Sequence, residues 1–239
     1  MEKININNSV NNINKDKNIK YEYNEISFSN GNLYRGELKI INDKDPIMQG
    51  KGILYINNGD YYIGDFNNDN IEGFGMYICK EEHNRYIGQF KANKYEGFGK
   101  FRYNNGNEYQ GEFKNGLMNG YGIFIYKSGN KYEGEFYNDE QNGIGIFKYS
   151  DNEFYEGEFK NDYMNGIGKY IFDDGDYNIG EYKNDKKNGF GINYYFSINE
   201  RYEGQFKNDK KNGFGTIFNN ETNETIKKGF FEENEFKNS

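Results

Sequence analysis

The residues with the clearest chemical capacity are glutamates that recur at a fixed spacing. Glu112, Glu135, Glu158 and Glu181 are each 23 residues apart. The set is extended by Glu133, Glu156 and Glu203. Acid–base catalysis by two carboxylates requires that they lie in different environments, whereas a repeated position gives every member nearly the same one. The spacing therefore predicts an acidic stripe, which is either a solvated face or a docking surface for a basic partner.

No other set of reactive side chains indicates catalysis. His83 is the only histidine and Cys79 the only cysteine, so a site with several His ligands and an internal disulfide are both excluded. The sequence has neither a Gly-x-Ser-x-Gly nucleophile elbow nor a Walker loop. We expect His83 to be a loop residue, and we expect no catalytic residues, no cofactor and no metal.

Lysines concentrate in two neighbouring segments of identical sequence. Residues 183–189 and 207–213 both read KNDKKNG, with a net charge of +2 each. We expect both to be loops on one edge of the fold. At about 1 kcal/mol per basic residue near an anionic leaflet, they would give only millimolar affinity unless several copies acted together. The candidate edge for an anionic lipid or a partner is Lys183, Lys186, Lys187, Lys207, Lys210 and Lys211.

The chain that must position these residues is acidic and aromatic. Its 239 residues carry a formal charge of −8, and 24 Tyr and 21 Phe supply most of the bulky apolar side chains. The charge argues against nucleic-acid binding. No apolar run approaches the roughly 20 residues that cross a bilayer, and no apolar signal follows Met1. Together with the lone thiol, these features favour a cytoplasmic protein.

Two glycine motifs repeat through the sequence. Eight Gly-x-Gly pairs begin every 23 or 24 residues, and each is preceded by a motif that reads Tyr-x-Gly-x-aromatic in most copies. Such a period is typical of a repeat architecture. The residues that define the repeat include Tyr62, Gly64, Phe66, Gly73, Gly75, Tyr86, Gly88, Phe90, Gly97, Gly99, Tyr109, Gly111, Phe113, Gly120, Gly122, Tyr132, Gly134, Phe136, Gly143, Gly145, Tyr155, Gly157, Phe159, Gly166 and Gly168.

Each repeat is predicted to be a β-hairpin. Alternation over residues 132–136 places Tyr, Gly and Phe on one face and both Glu on the other. The second strand is expected to begin at Gly143. Bare glycine positions inside strands suggest that aromatic rings lie across the backbone there. Because one hairpin cannot bury its rings alone, the hairpins should stack into an elongated, twisted, single-layer antiparallel sheet.

These expectations divide the chain into three segments. Residues 1–20, rich in Asn and Lys, are predicted to be a disordered tail. Residues 21–232 are predicted to form the array of eight repeats with a degenerate half-unit at each end. Residues 233–239 are predicted to be a flexible tail.

The two motifs resemble the MORN repeat, the membrane occupation and recognition nexus motif, over about residues 28–232. The chain departs from the repeat in carrying no Trp and in having Asn178 at one Tyr position. The resemblance implies a non-catalytic hairpin array that serves protein–protein contacts, self-association or attachment at a membrane or cytoskeletal boundary.

The face opposite the aromatic rings is also apolar in part. Because a single-layer sheet cannot hide two apolar faces, we expect a partner, a second copy or strong curvature to cover some of it. The expected function is therefore a scaffold with protein partners, either cytoskeletal or a second copy, and the alternative is peripheral binding to anionic phospholipids. The candidate partner face is Phe98, Ile123, Ile125, Ile144, Ile146, Ile167, Ile171, Phe190 and Ile192.

Overall fold

A computed structural model describes residues 3–7, 11–13, 19–42 and 44–237, with the side chains of 19–42 and 44–237. All regular elements in these ranges are β-strands, which confirms the predicted all-β class of stacked antiparallel hairpins. In the part of the chain that the structure describes, no helix is long and apolar enough to cross a membrane.

The strands fall into two units, residues 1–118 and 119–239. The strands that lie in the first unit are β1 (Lys3–Asn7), β2 (Asn11–Ile13), β3 (Ile19–Phe28), β4 (Leu33–Ile41), β5 (Ile47–Tyr55), β6 (Tyr61–Asn67), β7 (Asn70–Cys79), β8 (Asn84–Lys91), β9 (Lys94–Arg102) and β10 (Glu108–Lys114). From β3 to β10 each strand pairs antiparallel with the next.

The second unit continues the same pattern. Its strands are β11 (Leu117–Ile125, which begins just before the boundary), β12 (Lys131–Tyr137), β13 (Glu140–Lys148), β14 (Phe154–Lys160), β15 (Tyr163–Ile171), β16 (Tyr177–Lys183), β17 (Lys186–Tyr195), β18 (Glu200–Lys207), β19 (Lys210–Asn219), β20 (Thr225–Glu232) and β21 (Glu235–Lys237). Each of these strands also pairs antiparallel with the next.

Glycines face each other across successive strands. In the second unit the ladder runs from Gly122 through the glycine of every strand to Gly229, and in the first unit a ladder of the same kind runs from Gly36 to Gly111. At the start of the first ladder, Asn24 stands opposite Gly36. Every Tyr-x-Gly motif and the second glycine of every Gly-x-Gly pair therefore contribute to one structural feature.

Tyrosine rings occupy the space that these glycines leave. A Cβ on Gly145 would lie 2.5 Å from Cε2 of Tyr132, and one on Gly134 would lie 2.5 Å from the Cα of Gly145. The Tyr132 hydroxyl donates to the carbonyl oxygen of Glu135 at 2.9 Å. The same bond, 2.8 to 3.1 Å long, is made by Tyr34, Tyr62, Tyr86, Tyr109, Tyr155 and Tyr202. Rings over glycine are thus confirmed, and each ring comes from the Tyr-x-Gly motif itself.

Edge-to-face aromatic pairs link neighbouring hairpins. Tyr132 contacts Phe136 of its own strand and Phe159 of the next hairpin, with ring centroids 5.1 and 5.0 Å apart and ring planes nearly perpendicular. Tyr62 makes the equivalent contacts in the first unit. Such pairs contribute about 0.5–1.5 kcal/mol each beyond the burial of their area. The core of each unit is therefore a line of buried Tyr and Phe on one face, hereafter the inner face.

The predicted tails are only partly described. Within residues 1–20, β1 and β2 pair with β3, whereas residues 1–2, 8–10 and 14–18 lie outside the described residues. Within residues 233–239, β21 pairs with β20, and residues 238–239 lie outside the described residues. The predicted disorder and flexibility of the two tails stay predictions.

Candidate interaction surfaces

The second strand of each hairpin begins earlier than the sequence analysis predicts. Asn138 and Asp139 both have left-handed backbones, with φ of 49° and 71°, as a two-residue type I′ turn requires. Strand β13 therefore starts at Glu140. The pairing register then shifts by two residues, because Asn142, Gly143 and Ile144 stand opposite the single residue Glu135. Gly143, at φ 107°, lies in the resulting bulge.

The recurring glutamates hold these bulges in place. Glu135 accepts the backbone N–H of Ile144 at 3.0 Å through Oε1. Glu158 accepts that of Ile167 at 2.8 Å in the same way. The equivalent acceptor is a glutamine amide in Gln89 and Gln205 and a carboxylate in Asp65. The position therefore needs an acceptor oxygen rather than a charge. In the sequence, the presence of Gln at this position in two repeats indicates that the residue acts as a hydrogen-bond acceptor. The sequence analysis did not predict this role.

The bulge presents an apolar side chain on the face opposite the tyrosine rings, hereafter the outer face. The residue between the two glycines of each pair is 51% to 70% exposed from the second copy onward. We call this set the outer row. It comprises Phe74, Phe98, Tyr121, Ile144, Ile167, Phe190 and Phe214.

The structure divides the predicted partner face into two groups. Phe98, Ile144, Ile167 and Phe190 belong to the outer row, and Ile125 is 43% exposed. The remaining four are half-buried: Ile123, Ile146, Ile171 and Ile192. Sequence reasoning omitted Phe74, Tyr121 and Phe214, although their position inside Gly-x-Gly was sufficient to identify them.

The lysines of the KNDKKNG segments lie at hairpin tips rather than in open loops. Lys183, Lys186, Lys207 and Lys210 are exposed, and Lys210 forms an ion pair with Glu233. Between them, Asn184-Asp185 and Asn208-Asp209 have left-handed backbones, which is typical of type I′ turns.

The other two lysines lie against aromatic rings. The Nζ of Lys187 is 5.1 Å from the ring centroid of Phe206, and the Nζ of Lys211 is 5.0 Å from the centroids of both Tyr195 and Tyr202. Burial lowers the pKa of both amines. They occupy the inner-face position held by Met48 and Met164 in other repeats, so they cover the aromatic core.

The aspartates of these tips tie each hairpin to the one before it. Asp209 accepts the backbone N–H of Lys187 at 2.8 Å through Oδ1, and its own N–H donates to the carbonyl of Lys187 at 3.0 Å. Asp185 makes both bonds with Met164. These carboxylates therefore have a structural role. Each tip presents two exposed lysines, of which Lys210 is paired with Glu233.

A cleft in the first unit surrounds the buried carboxylate of Asp60. This cleft, of about 360 Å³, is lined by Asp60, Cys79 and Tyr95 among others. Asp60 accepts hydrogen bonds from the Tyr77 hydroxyl at 2.6 Å and the Lys80 N–H at 2.9 Å. Burial favours a higher pKa, but these hydrogen bonds outweigh it and lower the pKa of Asp60. Asp60 is therefore an engaged hydrogen-bond acceptor within the fold.

Neither His83 nor any cluster of metal-ligating side chains forms a reactive site among the described residues. His83 is exposed in a turn, with φ 57° and its Nδ1 3.0 Å from the carbonyl oxygen of Glu81. Among residues 19–42 and 44–237, no group of three or more His, Cys, Asp or Glu could hold a metal ion.

Comparison with known proteins identifies the repeat. A family profile described as MORN repeat matches seven segments, namely residues 62–81, 86–108, 109–131, 132–153, 155–177, 179–195 and 202–220. The curated proteins give no match to the chain.

Two solved structures resemble the fold. One is the SAS-4 (dCPAP) TCP domain of Drosophila melanogaster in complex with a proline-rich motif of Ana2 (dSTIL), at 14% identity and a TM-score of 0.41 over 77% of this chain and 99% of that chain. The other is a point mutant of the TCP10 domain of Danio rerio CPAP, at 12% identity and a TM-score of 0.44 over 87% of this chain and 99% of that chain.

Proposed function

The chain belongs to the MORN repeat family, and on that premise we propose that it is a non-catalytic scaffold. It binds protein partners or further copies of itself, in the cytoplasm, at the boundary between a membrane and the cytoskeleton. Repeat arrays present extended surfaces of this kind.

The observation that carries the proposal is the outer row. In the second unit Ile144, Ile167, Phe190 and Phe214 lie on alternate strands, so that neighbouring members are about 10 Å apart. A line of large apolar side chains, each more than half exposed, marks a protein contact surface.

Local geometry keeps these side chains outside. The N–H of Ile167 is bound to Glu158, and that of Phe190 is bound to Glu181 at 2.8 Å. Because the bulge fixes the backbone, the side chains cannot turn to the inner face, where the rings already cover the glycines. The side chains of the outer row are therefore removed from water only when another protein surface covers them.

Light scattering coupled to size exclusion tests the self-association branch of the proposal. The wild-type mass is expected to rise above 28.1 kDa with concentration, and Ile144→Ser combined with Phe190→Ser is expected to abolish the rise. A single-chain mass at every concentration would refute self-association and leave heterologous partners as the only occupants.

A second candidate function is binding to anionic phospholipids through the tips of β16–β17 and β18–β19. It is favoured by the exposure of Lys183, Lys186, Lys207 and Lys210. Flotation with phosphatidylserine vesicles tests it. Neutralising these four lysines should abolish salt-sensitive flotation, whereas neutralising Lys91 and Lys94 at the tip of β8–β9 should not. Wild-type chain that does not float would refute this candidate.

A further inference from the structure

The outer face of the first unit carries an apolar ladder that runs across four strands. Ile53 pairs directly with Ile63, Ile63 with Met76, and Met76 with Ile87. Strands in a sheet are about 4.8 Å apart, so the ladder extends over about 14 Å. In the second unit the matching row is interrupted by Glu156, Lys169 and Glu203. Within the described residues the ladder is therefore a feature of the first unit.

The ladder lines a groove. Its four residues, together with Phe74, Tyr23 and Lys51, line an open groove of about 420 Å³ above the backbone of the glycine ladder. Phe74 and Tyr23 are each 58% exposed at the margin of this groove. Volume and lining are those of a site for several apolar side chains, because such sites are concave and mostly apolar.

A basic cluster adjoins the groove at Ile87. A smaller cleft of about 150 Å³ is lined by Ile87, Arg85, Lys100 and Arg102. Arg85 stands directly opposite Arg102, and Lys100 directly opposite Ile87. Ile87 thus lines both the apolar groove and the basic cleft.

The positive charge of this cluster is only partly compensated. Glu108 is the carboxylate that pairs with both Lys100 and Arg102. In the described part of the chain, the side chain of Arg85 makes neither an ion pair nor a hydrogen bond. The charges of Arg85, Lys100, Arg102 and Glu108 sum to +2 beside the groove, and Arg85 also lines the cleft that contains Glu81 and Glu82.

We propose that the groove and the basic cluster together bind an amphipathic segment of a partner protein, whose apolar side chains fill the groove and whose carboxylates pair with Arg85 and Arg102. This inference rests on the proposed scaffold function. Apolar contacts in the groove supply affinity, and the arginines fix the direction of the segment, because arginine pairs with carboxylates through two parallel hydrogen bonds.

A second copy of the chain does not offer the required charge. In a two-fold pairing centred on the ladder, the basic cluster would meet the opposite end of the ladder. That end carries Lys51 and Arg35, which are already paired with Asp65 and Glu25. The exposed carboxylate of Glu37 at the same end accepts the backbone N–H of Lys51 at 3.3 Å. The carboxylates at this end are therefore already engaged within the chain, which favours another protein as the source of those that pair with Arg85.

Selection from a displayed library of random 16-residue peptides on the intact chain tests the inference. Enriched peptides are expected to carry several large apolar residues with Asp or Glu clustered at one end. The affinity of an enriched peptide, measured by fluorescence anisotropy, should fall about tenfold in Ile63→Ser and about fivefold in Arg85→Ala.

Two control variants separate binding from folding. Ile179 is the middle residue of the same motif in the second unit and is 41% exposed, against 38% for Ile63. Lys131 precedes its motif as Arg85 does. Ile179→Ser and Lys131→Ala should leave the peptide affinity unchanged.

The outcomes distinguish this inference from the scaffold proposal. The inference would be overturned if no peptide were enriched or if the enriched peptides lacked acidic residues. It would also be overturned if Ile63→Ser and Arg85→Ala left the peptide affinity unchanged. Loss of self-association in Ile63→Ser would overturn it in favour of a second copy. None of these results alters the light-scattering test of the outer row, which uses residues of the second unit.

Discussion

The ring of Tyr132 lies across Gly145 of the neighbouring strand, so close that a Cβ there would be 2.5 Å from the ring. The same arrangement couples Tyr62 with Gly75 in the first unit and Tyr202 with Gly215 in the second. The tyrosine ring fills the space that the facing glycine leaves, so the packing of each of these repeats requires both residues.

Substitution of Gly145 by alanine is expected to destabilise the second unit by about 3 kcal/mol, because the ring must move and lose its hydrogen bond to Glu135. Gly191 is the matched control. It holds the same ladder position, but Asn178 replaces the tyrosine, and a Cβ there would meet a backbone oxygen at 3.2 Å as its nearest neighbour. Gly191→Ala should cost about 1 kcal/mol or less in urea unfolding. Equal costs at the two positions would contradict the packing role of the ring.

The repeat around Asn178 offers a gain of stability. Asn178 is buried, donates to Asn193, and accepts from the Tyr182 hydroxyl at 2.8 Å. Replacing all three at once, as Asn178→Tyr, Tyr182→Phe and Asn193→Phe, restores the aromatic pattern of the other repeats. We expect a gain of about 1–2 kcal/mol in the free energy of unfolding.

The single substitution Asn178→Tyr serves as the control for that variant. It leaves the Oδ1 of Asn193 and the Tyr182 hydroxyl without their present partners, and should therefore be less stable than the triple variant. Thermal unfolding followed by circular dichroism measures both. A triple variant no more stable than wild type would show that the ring adds nothing at this position.

Stability is expected to decline at alkaline pH. Burial raises the pKa of Tyr202 to about 12, and it raises the pKa of Tyr132 and Tyr155 further above the usual value of 10. Below pH 10 both folded and unfolded phenols keep their protons, so stability is unaffected. Above pH 10 the unfolded chain loses protons that the folded chain retains, and the free energy of unfolding falls. Phenolate absorbance should appear together with loss of β-sheet circular dichroism. A fold that persists while most tyrosines ionise near pH 10 would contradict this.

The acceptor role of the glutamate stripe can be separated from its charge. Glu158→Gln should retain wild-type stability because the amide oxygen can still accept the N–H of Ile167, as Gln205 accepts that of Phe214 at 2.9 Å. Glu158→Ala should lose about 1 kcal/mol in urea unfolding, since a backbone donor loses its partner. If the glutamine variant were as unstable as the alanine variant, the charge would be the essential feature.

The sequence predicts the repeat well, because its period and its alternation are local properties. The inner-face assignment of Tyr132 and Phe136 is confirmed by their burial, and the ladder of glycines follows the predicted spacing. The sequence analysis was wrong about where the second strand begins, because it placed the start at Gly143 whereas the strand starts at Glu140. The bulge at Gly143 adds two residues to the strand, so alternation still assigns Gln141 to the inner face, but the glycines conceal that the strand continues through the bulge.

The earlier start of the second strand also explains the error about the lysines. Lys187 and Lys211 were predicted to be loop residues, whereas pairing with Tyr182 and Phe206 places them on the inner face. Alternation counted back from Gly191 and Gly215 and the equivalent residues Met48 and Met164 of other repeats both indicate an inward position. The groove beside Arg85 was not found from the sequence because it depends on which side chains stand opposite one another across four strands.

Site-specific photo-cross-linking at Ile167, in the cells that produce the chain, tests most directly whether the outer row is a protein contact surface. A photoreactive residue at Ile167 is expected to form discrete adducts with a second copy or a partner protein, and the same residue at Asn161, exposed at the tip of β14–β15, is expected to form few. Absence of adducts at Ile167, or equal labelling at both positions, would contradict the account.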